Sequence, residues 1–243
     1  MKRMLLVTLF FFLDAIAAFA QARTPANHGY MTGGIDVFLG AANFADVIHP
    51  LEFVEASTIS TTYPLTVAPG FDIGGGARVW RRMTVGLEVS HVTESNSADV
   101  NAQMPHPFFF NRPRAVAGSA TGLSRDETAL HLQVRWNAPV ARRWLLAVGG
   151  GPSLLKVDQD LVQDIQIAQS YPYDTAAYAS ATTQHVSKSR LGFNVGADAT
   201  YLFRPRVGVG AGITFAHARV PLTGSASTDA GGAHVTAGLR IRF

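Results

Sequence analysis

Apolar and polar residues alternate with a period of two along most of the chain beyond residue 22. In the clearest segment, 83–90, the odd positions are apolar and the even positions are small or polar. Because successive side chains of a β-strand point to opposite faces, this period predicts strands that each have one apolar face. The alternation recurs, less regularly in the last two segments, at 71–79, 130–136, 190–203, 207–215, 33–42 and 144–155.

The polar face of these segments separates them from the strands of a soluble sheet. It repeats glycine, small polar residues and isolated charges, as in Gly208, Gly210 and Gly212. Segments of about 10 residues have the length that a tilted strand needs to cross a bilayer. An outward apolar face and an inward face rich in glycine are typical of a narrow transmembrane barrel, in which glycine leaves room for long neighbouring side chains.

The connections between the segments alternate in length. Short links lie at 81–82, 137–143 and 204–206, and long links at 43–70, 94–125, 156–186 and 219–231. Short periplasmic turns and long extracellular loops are the arrangement of outer-membrane barrels. The sequence therefore predicts an all-β fold, a closed antiparallel transmembrane β-barrel of about eight strands. A barrel of about ten strands is the alternative, if 53–66 forms an additional hairpin.

Aromatic and basic residues gather at one end of the predicted strands. The three tryptophans, Trp80, Trp136 and Trp144, all border the short links. Arginines stand beside them, at Arg81, Arg82, Arg142, Arg143, Arg204 and Arg206. Aromatic rings next to long cationic side chains indicate a girdle at a membrane–water interface.

The N-terminal segment predicts export. Lys2 and Arg3 precede an almost entirely apolar run at 4–12, and small residues at 18–22 are spaced for cleavage by a signal peptidase. We therefore expect a signal peptide at 1–22 and a barrel domain at 23–243.

Composition excludes several classes of protein. Of the 243 residues, 47% are apolar and only 15% are charged, against about 25% charged in a typical soluble domain. The net charge of +3 is too small and too scattered for a nucleic-acid surface. The chain has no cysteine, so disulfides and thiolate metal sites are excluded, and the histidines lack metal-ligand spacing. No cofactor and no nucleic-acid partner are predicted.

The last segment resembles the C-terminal assembly signal of outer-membrane proteins. A terminal phenylalanine follows apolar residues at alternate positions, in the set Val235, Ala237, Leu239, Ile241 and Phe243. This resemblance implies recognition by the barrel-assembly machinery during biogenesis.

The chain beyond the signal is similar in pattern to the small outer-membrane β-barrel superfamily typified by the OmpA transmembrane domain and by OmpX. The resemblance implies an integral protein of a Gram-negative outer membrane, in contact with outer-membrane lipid and lipopolysaccharide. Unlike full-length OmpA, the sequence shows nothing after its final strand, so no peptidoglycan-binding domain is expected.

The inward faces carry charges of both signs. They are Asp36, Asp72, Arg78, Glu88, Arg135, Arg190, Asp198, Arg240 and Arg242. A barrel of about eight strands is just wide enough for side chains to fill it. Because an unpaired buried charge is costly, we expect opposite charges to pair in a plugged polar interior. A narrow channel for small solutes or ions is the alternative.

Lipid A modification is a third hypothesis. Outer-membrane lipid A deacylases use a His-x-Ser pair on the lipid-facing surface, and His217 lacks the following serine. His91 and Thr93 share a face, but threonine replaces serine and Glu94 points the other way. No catalytic residue is therefore predicted.

The long links are where specific function is expected. The second contains the triplet Phe108, Phe109 and Phe110 between prolines, followed by Arg112 and Arg114. An exposed triplet is suited to contact a surface ligand or lipopolysaccharide headgroups. The alternative is that the rings fold back over the barrel mouth.

The third long link carries Asp158, Asp160 and Asp164 without the spacing of a calcium loop. We expect it to form a short helix or to be mobile. As a whole, the sequence favours a non-enzymatic barrel that contributes to envelope integrity or surface interaction through its loops.

Overall fold

The computed structural model describes residues 28–223 and 226–243, and β-strands make up most of them. The signal peptide expected at 1–22 lies outside these residues. None of the described residues forms a helix long and apolar enough to cross a membrane. The described strands are β1 (Gly29–Phe38), β2 (Phe44–Ile48), β3 (Leu51–Glu52), β4 (Glu55–Ala56), β5 (Thr58–Tyr63), β6 (Ala68–Trp80), β7 (Met83–Met104), β8 (Arg114–Ala141), β9 (Trp144–Gln169), β10 (Ala176–Leu202), β11 (Val207–Pro221) and β12 (Ser227–Arg242).

Eight of these strands form a ring. The antiparallel pairing runs β7-β6-β1-β12-β11-β10-β9-β8 and returns to β7 through the β7–β8 pair. The expected eight-stranded barrel is thereby confirmed. The ten-stranded alternative is wrong, because the strands found within 53–66 stay outside the ring. There, β5 pairs with β7 beyond the last residue pair of β6, and β4 pairs only with β3.

The first and last strands of the ring meet along a tight seam. The amides of His28 and Gly29 donate to the Phe243 carbonyl, at 2.6 and 2.8 Å. A Cβ at Gly34 would collide with the Ala237 carbonyl, so the close approach of β1 to β12 requires glycine there. The five residues of the predicted assembly signal lie along this seam with exposed side chains.

The facing predicted from the period of two is confirmed in the half of the barrel next to the short turns. Leu87, Ile73 and Val195 are exposed on the outside. Asp72 and Asp198 are buried inside. The exposed faces form an apolar outer band, with Trp80, Trp136 and Trp144 exposed at its short-turn edge.

Strands β7 to β10 continue far beyond this band. They are 22 to 28 residues long, against about 9–11 for a spanning strand. The expectation of a short helix or a mobile link at 156–186 is therefore wrong, since Asp158, Asp160 and Asp164 all lie within β9. Only 105–113 and 170–175 separate these long strands at their far ends.

The interior of the extended half is apolar. Val100, Ala102 and Met104 of β7 are buried inside, as are Leu155 and Val157 of β9. The side chains of β7 that point inward have even residue numbers along the whole strand. The apolar residues, however, have odd numbers before Val92 and even numbers from Val92 onward. We therefore expect lipid outside β7 before Val92 and water outside it beyond that residue.

Candidate functional site

Three connections converge at the long-loop end of the molecule. They are the β3–β4 hairpin, the β7–β8 link and the β9–β10 link. The Asn111 amide donates to Glu55 Oε1 at 2.9 Å, which connects the β7–β8 link to the β3–β4 hairpin. Arg112 Nη2 lies 3.3 Å from Asp174 Oδ1, which ties the second to the third. We call the apolar residues that these connections present the distal tip: Leu51, Phe53, Val54, Phe108, Phe109, Phe110, Tyr171 and Tyr173.

Ring contacts organise the distal tip. Phe108 packs edge-on against Tyr173 with ring centroids 5.5 Å apart, and Tyr173 packs against Tyr171 at 6.2 Å. The Arg112 guanidinium lies over the Phe109 ring at 5.6 Å. Edge-on aromatic pairs and cation–π contacts favour defined geometries, so the tip has a defined shape.

The aromatic triplet is exposed. The exposed fractions of Phe108, Phe109 and Phe110 are 66%, 53% and 72%. Val54 and Tyr171 are still more exposed, at 82% and 83%. The alternative in which the rings fold back over the barrel mouth is therefore wrong. A cluster of exposed apolar residues from separate connections marks an interaction surface more strongly than a single exposed ring.

Arg114 has a different role from the one expected. It is only 5% exposed, so its inclusion among the surface contacts was wrong. Its guanidinium donates to Gln169 Oε1 at 2.6 Å and to the carbonyls of Tyr173 and Pro105 at 3.1 and 2.7 Å. Burial lowers its pKa. Arg114 thus fastens the second and third connections together beneath the tip.

The backbone of the distal tip is strained. Among the described residues other than glycine, five have a positive φ, and four of them, Phe53, Val54, Asn111 and Tyr173, lie in these three connections. A β-branched residue such as Val54 is strongly disfavoured in this region. Such strain persists only where the surrounding structure imposes it, and it clusters at functional sites.

A packed core supports the tip from below. Phe44 stacks on Tyr63 at 4.6 Å, and Tyr63 Oη accepts a hydrogen bond from the Val162 amide at 2.8 Å. Burial raises the pKa of Tyr63 to about 12. Sequence reasoning missed this core, although the change of phase near Val92 could have indicated it.

The expected charge network forms only in part. Arg240 Nε and Nη2 donate to Asp198 Oδ2 at 3.2 and 2.8 Å. Among the nine predicted residues, and within the described chain, this is the one ion pair. Asp36 pairs instead with His234, whose Nδ1 lies 2.8 Å from Asp36 Oδ2.

Within the described chain, the other predicted lumen charges form no ion pair with one another. Asp72 is buried and Glu88 half-buried further inside, whereas Arg78, Arg135 and Arg242 line a cavity at the short-turn end. Arg190 is exposed, so its place in the network was wrong. The reason is that β11 pairs with β10 only as far as Phe193, which leaves Arg190 beyond the enclosed interior.

Uncharged polar side chains fill the middle of the lumen. His131 Nδ1 lies 2.7 Å from Ser153 Oγ, and its Nε2 lies 3.4 Å from Ser90 Oγ. Asn194 Nδ2 also donates to Ser153 Oγ at 2.8 Å. The spacing along single strands gave no signal for this cluster, because its members come from four strands.

His91 lies on the outer surface between two hydroxyls. Its Nδ1 is 2.9 Å from Thr128 Oγ1 and its Nε2 is 3.2 Å from Thr93 Oγ1. Glu94 turns inward and accepts from the Thr66 hydroxyl at 2.7 Å. Among the described residues, no carboxylate forms a hydrogen bond or ion pair with the His91 ring, so a catalytic triad is not assembled there.

Solved structures show what this architecture resembles. No protein-family model matches the chain, and no curated protein matches it. The outer membrane protein OprG from Pseudomonas aeruginosa aligns with a TM-score of 0.50 at 9% identity, over 90% of this chain and 96% of OprG. The chain has the fold of a small outer-membrane β-barrel.

Two further solved structures align over most of their length. The protease OmpT from Escherichia coli gives a TM-score of 0.46 at 9% identity, over 92% of this chain and 99% of OmpT. Neisserial surface protein A gives a TM-score of 0.43 at 13% identity, over 88% of this chain and 97% of that protein.

The fold orients the outer-membrane barrel. Short turns are periplasmic and long connections are extracellular in such barrels. The apolar band lies in the lipid, and the tryptophans at its short-turn edge lie at the periplasmic interface. The distal tip therefore stands on the outside of the cell, raised above the membrane by the extended halves of β7 to β10.

Proposed function

We propose that this outer-membrane barrel is a non-enzymatic surface-interaction protein whose distal tip contacts an apolar surface outside the cell. The observation that carries the proposal is the convergence of three separate connections on one exposed aromatic surface. Exposed apolar side chains are unfavourable in water unless a partner covers them. Strained backbone at Phe53, Val54 and Tyr173 supports a functional reason for displaying these residues.

The chemistry of the tip favours a lipid bilayer as the partner surface. Its exposed side chains are aromatic or aliphatic, and Tyr171 and Tyr173 add hydroxyl groups suited to a membrane interface. The nearest cation, Arg112, is already paired with Asp174. Shallow insertion into the acyl boundary would bury the rings and leave the ion pair at the headgroups.

A closed barrel fits this role better than a channel. The lumen contains the Asp198–Arg240 pair and the His131 cluster, and above them Ile59, Leu155 and Val157 are fully buried. We expect these packed apolar side chains to interrupt any continuous aqueous path. We expect no steady conductance in planar-bilayer recordings, and reproducible unitary currents would favour the channel hypothesis instead.

Liposome flotation tests the proposed contact. The full mature protein in nanodiscs is mixed with phosphatidylcholine liposomes, and the fraction that floats with them is measured. We expect the Phe108→Ser/Phe109→Ser/Phe110→Ser variant to lose most of the binding, because each ring contributes apolar burial.

A matched triple variant supplies the control. Phe108→Leu/Phe109→Leu/Phe110→Leu keeps the surface apolar and is expected to retain most of the binding. Equal flotation of the serine variant and the wild type would contradict the proposal. Failure of the wild type to float, together with specific capture of an extracellular protein that depends on the triplet, would assign the tip to a protein partner instead.

A further inference from the structure

A basic cavity opens at the periplasmic end of the barrel. Its volume is about 260 Å³. Among residues 28–223 and 226–243, six arginines line it: Arg78, Arg81, Arg82, Arg135, Arg240 and Arg242. They come from β6, the β6–β7 turn, β8 and β12, so the ring closure brings together charges that are distant in sequence.

Few carboxylates balance these charges. In the part of the chain that the structure describes, Asp198 is the one acidic residue that lines the cavity, and Arg240 already holds it through two hydrogen bonds. Glu88 and Asp72, which do not line the cavity, lie close enough to Arg135 and Arg240 to interact with their charges. Within the described residues, Arg78 and Arg242 have no ion pair.

Backbone hydrogen bonds and a tyrosine ring fix the strands from which these arginines project. The Arg78 amide donates to the His28 carbonyl at 2.7 Å, and the Arg242 amide donates to the Arg206 carbonyl at 2.8 Å. Arg135 lies 5.9 Å from the centroid of the Tyr30 ring. A Cβ at Gly86 would collide with the Tyr30 hydroxyl, so the glycine leaves room for this side chain.

We infer that this cavity binds a compact oxyanion that carries at least two negative charges on phosphate or carboxylate groups. Guanidinium groups match such oxygens in bidentate pairs, and Arg78 and Arg242 are free to form them. A water molecule occupies about 30 Å³ of liquid, so the cavity holds a ligand the size of several waters. The inference is independent of the function proposed for the distal tip.

Calorimetric titration with inorganic pyrophosphate tests the inference. The full mature protein is placed in phosphatidylcholine nanodiscs. The folding of each variant is first checked on denaturing gels, where a barrel that stays folded migrates differently in unheated and heated samples. We expect saturable binding that weakens as salt is raised. The Arg78→Gln/Arg242→Gln variant should bind about tenfold more weakly or worse, since it loses two charge-assisted partners.

The control variant is Arg142→Gln, at a periplasmic turn outside the cavity lining. It should bind pyrophosphate as the wild type does. Arg78→Lys/Arg242→Lys keeps the charge without the bidentate geometry, and it should fall between the wild type and the glutamine variant. Equal binding by the glutamine variant, an equal loss in Arg142→Gln, or no binding by the wild type would overturn the inference.

A second lipid distinguishes two sources of a bound phosphate group, a free periplasmic anion and a phospholipid headgroup. The titration is repeated in nanodiscs that contain phosphatidylglycerol. An unchanged dissociation constant supports a free periplasmic anion as the ligand. If phosphatidylglycerol weakens pyrophosphate binding by the wild type but not by Arg78→Gln/Arg242→Gln, the result supports a phospholipid headgroup that occupies the same cavity.

Discussion

Leu87 and Thr84 lie three residues apart on β7 and have different surroundings. Leu87 is exposed within the apolar band, whereas Thr84 lines the periplasmic cavity. Leu87→Arg should therefore cost about 2–4 kcal/mol of unfolding free energy, the range for arginine at mid-membrane on the lipid face. Denaturant titration of the barrel in lipid vesicles measures this cost.

Thr84→Arg is the control on the same strand. Its guanidinium enters a cavity where water can hydrate it and where the cost is repulsion from the arginines nearby, so we expect a smaller loss of stability than for Leu87→Arg. Similar losses for both variants would contradict the assigned facing of β7.

The Asp198–Arg240 pair makes a second residue-scale prediction. Both side chains are less than a tenth exposed, so Asp198→Asn leaves a largely desolvated guanidinium without its partner. We expect a loss of about 2–5 kcal/mol of unfolding free energy in the same titration. Asp198→Asn/Arg240→Met removes both charges and should recover part of the loss. A double variant as unstable as the single one would show that the lost stability does not come from breaking this ion pair.

Single residues were predictable from sequence where the strand period decides their facing. Asp72, Asp198 and Arg240 lie inside, as the period of two indicates. The partner of a charge was less predictable, because pairing depends on the register between strands. Thus Asp36 meets His234 across the β1–β12 seam, which the spacing along either strand alone does not show.

The β3–β4 hairpin carries a prediction at the scale of an element. Its two-residue turn, Phe53-Val54, has positive φ at both residues, a geometry that favours Asn-Gly. Phe53→Asn/Val54→Gly should relieve about 1–3 kcal/mol of local strain. Hydrogen exchange of the Ser57 amide, which donates to the Pro50 carbonyl at 2.9 Å, reports the local opening.

The same variant separates stability from function. We expect slower exchange at Ser57 and weaker liposome flotation, since the turn loses two exposed apolar side chains. Glu52→Gln, which leaves the turn unchanged, should alter neither measurement substantially. Faster exchange in the Asn-Gly variant would show that the native turn is not strained.

The extent of the strands was predicted incompletely. The sequence located β6, β11 and β12 well, because their apolar faces point to lipid over most of their length. The extended halves of β7 and β9 were interpreted as loops, since their apolar residues lie on the opposite face. In physical terms, water replaces lipid outside the strand there, so the apolar side turns inward.

At the scale of the whole molecule, the barrel consists of two stacked halves with opposite organisation. The membrane half has an apolar exterior and a polar lumen, and the extracellular half has a buried apolar core. The eight-stranded ring followed from counting segments between alternately short and long links. The convergence of three connections at the distal tip could not be predicted in this way, because it depends on contacts such as Asn111 to Glu55 that link residues distant in sequence.

The central claim is that alternate residues of one strand face lipid and lumen, and it has a direct test. The chain contains no cysteine, so single cysteines at Thr84, Val85, Leu87, Glu88, Val89 and Ser90 can each carry a spin label in the refolded protein. Collision rates with oxygen dissolved in lipid and with a water-soluble nickel complex are measured at each position. We predict high oxygen and low nickel accessibility at Val85, Leu87 and Val89, and the reverse or low accessibility to both at the other three. Equal profiles at all six positions, without a period of two, would contradict the account.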